Sequence, residues 1–187
     1  MSKVVVAILL LGVLNFKVMA APQQQVEGHY HLTIYSDQQG LVSDIELFTK
    51  QERHEVFFGV TCSSMSPFPL VQVLLFNDDV VSEMPRFLRA SYLIDGQKPK
   101  EAPKLQGILK PVDTFEEYSN KIRLELEPDK IRSLSVMNQG YAALLNSFKS
   151  GENVEITVES GAIGTQKYEF SLKGFKALIE PYESVCQ

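Results

Sequence analysis

From Tyr30 to Leu172 the apolar side chains of this chain recur mainly every second residue, in short runs separated by turn-forming residues. A spacing of two sorts side chains onto opposite faces of a strand, so this pattern restricts the chain to antiparallel β architectures more than any other property it has. The first run is Tyr30, Leu32, Ile34, followed by the turn Asp37-Gln38-Gln39-Gly40 and two β-favouring stretches at 41–49 and 54–62. Shorter runs lie at 71–76, at 87–94 before an Asp95-Gly96 tight turn, at 105–109, and at Ile122, Leu124, Leu126, where Arg123 and Glu125 take the wet side. Val154, Ile156, Val158 and Tyr168, Phe170, Leu172 flank the turn at Gly161 to Gly164 and predict a hairpin. Residues 63–69 (SSMSPFP) interrupt the pattern, because each proline lacks the amide donor a central strand needs. Residues 97–104, with two prolines and three lysines, read as an exposed loop.

The period changes in two places. Ile131, Leu134, Tyr141, Leu144, Leu145 and Phe148 fall at helical spacings up to Gly151, with Gly140 as a candidate break. Phe175, Leu178, Ile179 and Tyr182 do the same after Gly174, with Pro181 set to kink that last helix. About nine strands and two helices in this order predict a mainly β (α+β) fold, an antiparallel β-sandwich or open barrel with one internal helix and a C-terminal helix cap. With 44% hydrophobic residues and no second composition block, residues 28–187 read as one β-rich domain able to bury its own core.

Residues 1–20 have a basic start (Lys3), an unbroken apolar run at 4–14, and Val18 and Ala20 placed for cleavage before Ala21, the layout of a secretory signal peptide. Eleven apolar residues rise about 16 Å as a helix, half of a hydrocarbon core, so no transmembrane span is expected after cleavage. Residues 21–27 (APQQQVE) lack periodicity and read as a flexible tether. Two lysines and no acid leave with the leader, which takes the formal charge from −5 to −7 and disfavours a nucleic-acid partner. Cys62 and Cys186 are the two cysteines, and an even count in an exported chain predicts a disulfide that pins the C-terminus to the third strand. The expected location is periplasmic or secreted.

The segments Tyr141-Ala-Ala-Leu-Leu, Phe148-Lys-Ser-Gly151, Val154-Glu-Ile-Thr-Val158 and Tyr168-Glu-Phe-Ser-Leu-Lys-Gly-Phe175 cover about a fifth of the chain. Together they resemble the C-terminal part of the invasion-associated locus B family of exported bacterial proteins. There a short helix and a Lys-x-Gly turn lead into a hairpin ending Phe-Ser-Leu-x-Gly-Phe, and Lys149-Ser150-Gly151 is the matching turn here. The resemblance implies an exported β-rich fold, and the family carries no catalytic residues to transfer.

Several constellations bear on chemistry. His29 and His31, two apart on one strand, would share a face that His54 could join, and three imidazoles can hold a catalytic zinc with an open position. Set against that, histidines beside Tyr30 on an edge strand are ordinarily solvated surface residues. Ser63 and Ser64 have no elbow motif or local base, and the neighbouring acids Asp113, Glu116 and Glu117 point in different directions on a wet loop. Lys98, Lys100 and Lys104 read as solvated, and Gly161 with Gly164 as a hairpin turn rather than a phosphate cradle. The loop residues Met65, Pro67, Phe68 and Pro69 place bulky apolar groups where no ladder can absorb them, either to pack on the sheet or to meet a partner. The expectation is a non-enzymatic exported domain that contacts another protein or a cell-envelope component and needs no cofactor. The rivals are a small metal-dependent hydrolase using the histidines and a structural subunit of an envelope assembly.

Overall fold

Alternation becomes a single sheet whose inner face carries nearly every residue of the period-two runs. The computed structural model describes residues 21–52, 54–76, 87–100, 103–111, 119–127 and 133–186. Among these, ten strands run antiparallel: β1 (Gln23–Glu27), β2 (Tyr30–Ser36), β3 (Val42–Lys50), β4 (Val56–Ser63), β5 (Leu70–Phe76), β6 (Leu88–Ile94), β7 (Leu105–Pro111), β8 (Ser119–Leu126), β9 (Asn153–Ser160) and β10 (Gly164–Ser171). Their order across the sheet is β1-β2-β3-β4-β5-β8-β7-β6-β9-β10. Helix α1 (Leu134–Ser150) and helix α2 (Phe175–Ile179), which runs on into a 3-10 turn over Glu180–Val185, complete the fold. The sheet is curled into a half-barrel, the open-barrel form of the expected architecture.

The curl is visible in the core. Phe58 on β4 and Phe170 on β10 stand six strands apart in the sheet, yet their rings stack at 5.4 Å. Phe148 of α1 meets Phe58 edge-on at 5.3 Å and also reaches Phe175 of α2. The helix therefore fills the mouth of the half-barrel with the face that periodicity predicted, Tyr141, Leu144, Leu145 and Phe148. Ser133 caps it by accepting the Val136 N–H at 3.3 Å. Gly140 does not break α1. A β-carbon there would press on Leu126 of β8, so the missing side chain serves close packing of helix on sheet. Leu134, expected on the apolar face, is exposed, as is Val136, since the buried face of α1 starts only at Tyr141, and Ile131 lies outside the described residues. The kink at Pro181 takes the form of the 3-10 turn.

One expectation is corrected at the N-terminus. Residues 23–27 are not a tether but strand β1, paired with β2 from Gln23–Ile34 to Glu27–Tyr30. An edge strand exposed on both faces has no alternation to display, so backbone pairing alone forms it. The turn that follows also holds the fold together. The His29 N–H donates to the Lys173 carbonyl at 3.0 Å, and a β-carbon on either Gly28 or Gly174 would run into the other segment's backbone. Both glycines have positive φ, 58° and 97°. This contact ties the β1–β2 turn to the exit of β10.

Tyr30, fully buried against Phe175, has a hydroxyl without a hydrogen-bond partner among the described residues. Burial drives its pKa far above the usual 10. Below that usual value the phenol is neutral folded or unfolded; above it only the unfolded chain ionises, so stability falls as pH rises, by up to about 1.4 kcal/mol per unit. Tyr30→Phe should leave neutral-pH stability unchanged or raise it by about 1 kcal/mol, and should flatten the alkaline loss. Urea midpoints at neutral and strongly alkaline pH read both effects.

Candidate functional site

Loop 63–69 leaves β4 one residue after Cys62 and is shaped by its serines. Ser63 Oγ accepts the Met65 N–H at 3.2 Å, and Ser66 Oγ donates to the Phe68 carbonyl at 2.9 Å. The Ser64 N–H donates to the Ser43 carbonyl at 2.8 Å. These bonds fix the course of the loop through its serine side chains and backbone. Of the four apolar loop residues, Pro69 is buried and Phe68 lies flat on Tyr141 of α1, centroids 5.3 Å apart. Pro67 is exposed, and Met65 is 92% exposed. Half of the loop thus packs, on α1, and the other half faces solvent.

Between this loop, one face of α1 and the C-terminal turn lies a hollow of about 390 Å³. Its apolar floor includes Pro69, Leu145, Ile179 and Cys186. Cys186 reaches it because the disulfide to Cys62 is formed as expected, with Cα atoms 4.8 Å apart. A Lys149–Glu183 ion pair closes one wall and leaves little net charge there. Tyr141 beneath the loop bonds to the Leu126 backbone, and burial raises its pKa. The rim carries the exposed amides Asn138, Gln139 and Asn146. Such side chains offer a donor and an acceptor each, the complement of a peptide group, around a floor suited to an apolar side chain.

No protein-family model, curated protein or solved structure matches the chain. Of the helix residues lining the hollow, Tyr141 and Leu145 belong to the apolar face that the spacing predicted, whereas Asn138, Ala142 and Asn146 were not singled out, and Glu183 and Cys186 join them because the disulfide folds the C-terminus over α1.

The histidines are distributed differently from the strand reading. His29 sits in the β1–β2 turn rather than beside His31 on a strand face, because Tyr30, the first residue of β2, takes the core. His31 points outward opposite Phe48 of β3. His29 and His54 instead border a separate hollow with Lys50, Glu52 and Glu169. Among the described residues no group of three His, Cys, Asp or Glu side chains is placed to hold a metal ion. Asp113, Glu116 and Glu117 lie outside the described residues. Lys98, Lys100 and Lys104 are exposed, and Gly164 with its φ of 68° turns the β9–β10 hairpin. Asp95 has a role its turn motif did not announce: its carboxylate accepts the N–H groups of Glu152 and Asn153 at 2.8–3.1 Å, fastening the entry to β9.

Proposed function

We propose that this is an exported binding domain, acting in the periplasm or outside the cell, that holds an extended segment of a partner protein in the hollow beside loop 63–69. The observation that carries the reading is Met65. Its thioether side chain is 92% exposed, flexible contact surface on a loop whose Pro67 and Pro69 line the apolar-floored hollow and which serine bonds and the Phe68–Tyr141 stack hold in place. The amide rim supports a peptide over a lipid tail, which would leave those groups unmatched. In this reading the partner's backbone meets Asn138, Gln139 and Asn146 while one apolar side chain enters above Leu145.

Met65→Asp tests the idea cleanly, since a side chain this exposed affects stability by only about 0.5 kcal/mol. Native protein should capture a specific partner from envelope extract, and the variant should lose it by at least about tenfold. Equal capture by both forms, or no specific partner for either, rejects the reading.

A further inference from the structure

The outer face of the sheet carries an ordered charge pattern that the hollow does not use. Along β3 the outward positions read Asp44, Glu46, Phe48, Lys50; along β8 they read Lys121, Arg123, Glu125 in the antiparallel sense. In register, the row Lys50–Phe57–Leu74–Lys121 crosses β3, β4, β5 and β8, with Lys110 next on β7. Two residues along each strand lies the row Phe48–Gly59–Gln72–Arg123, and two further Glu46, Thr61, Leu70 and Glu125. One end of the face is thus basic, the middle aromatic and amide, the other end acidic. Arg123 is already paired with Glu125 at 3.1 Å and Lys50 with Glu55 at 2.5 Å, whereas Lys121 and Lys110 have no ion pair among the described residues.

We infer that this face is a self-complementary dimer surface whose occupant is a second copy of the chain. Place a two-fold axis in the plane of contact along the Phe48–Gly59–Gln72–Arg123 row, and each strand lies over its own mate in reverse. Lys50 then meets Glu46 of the second copy and Lys121 meets its Glu125, while Leu74 meets Leu70 and Phe48 meets Phe48. The ring of Phe48 lies over Gly59, where a β-carbon would collide with it, so an aromatic face forms the surface of this row. Four strands about 4.8 Å apart and five residues deep give roughly 330 Å² of face per copy, below the size of a stable interface. The dimer is therefore weak and reversible, with dissociation in the range of tens of micromolar.

Sedimentation velocity of the purified protein up to about 200 μM tests it. The native chain should shift from monomer to dimer with concentration. Lys121→Glu and Glu125→Lys should each weaken self-association at least about tenfold, since each opposes like charges. An equimolar mixture of the two variants should dimerise again, because both cross-pairs become Glu against Lys, and so should the double variant. A native protein that stays monomeric throughout, a dimer that both single variants leave intact, or a mixture no better than either variant alone overturns the inference. Circular dichroism of the surface variants separates loss of contact from loss of fold.

Discussion

Phe58→Ala should destabilise the fold by about 3–5 kcal/mol. The residue is fully buried on β4, and its ring is the point at which three parts of the chain converge: its own strand, α1 through Phe148, and β10 through Phe170. Truncation removes the packing of both aromatic pairs and leaves a space that strands locked in register on either side, β3 and β5, cannot easily close. Since the Phe58–Phe170 contact is also what draws the distant edge of the sheet across the helix, the cost should appear as lost cooperativity between the β9–β10 hairpin and the rest. Hydrogen exchange on β10 reads this directly: protection there should fall more than on β4 itself. A loss below about 1 kcal/mol would mean that the curl does not depend on this ring.

The strands that alternate were legible, because burial on one side leaves its mark on every second residue. β9 and β10 show it best: Val154, Ile156 and Val158 face inward, as do Tyr168 and Phe170, in the register the turn imposes. β1 was not legible for the reason that it is an edge, with all five residues wet and a run of glutamines that gives no face to detect. The spacing rule also misplaced His29, since a residue two before another shares its face only when both belong to the strand, and Gly28 turns the chain just there. For the hollow, the sequence displayed the walls only in part. The loop announced itself through its prolines and Met65, while on the helix only Tyr141 and Leu145 belong to the apolar face that spacing shows and the amides Asn138, Gln139 and Asn146 gave no signal. Their juxtaposition depends on where the last dozen residues go, and periodicity says nothing about that.

The two cysteines do say it. Cys62→Ser with Cys186→Ser should lower stability by about 2–5 kcal/mol, the chain-entropy model setting roughly 4–5 kcal/mol as the upper figure for a loop this long. The sequence separation of 124 makes the link a constraint on nearly the whole domain in its unfolded state. The folded state should change locally as well. Without the bond, the turn over Glu180–Val185 is held by the burial of Val185, the partial burial of Tyr182 with a 3.3 Å bond to its hydroxyl from Gln25 Nε2, the partly buried pair Lys149–Glu183 and the exposed pair Lys176–Glu180, while Pro181 and Ser184 are exposed. That is little to fix a wall. Exchange protection in 180–186 should therefore drop well before global unfolding, and with it the partner capture that Met65 supports, even at temperatures where the domain remains folded. If the serine pair unfolds at the native midpoint, the bond is not the clamp its loop length implies. If stability falls while capture persists, the C-terminal turn is not a wall of the binding site, and the hollow's function must rest on α1 and loop 63–69 alone.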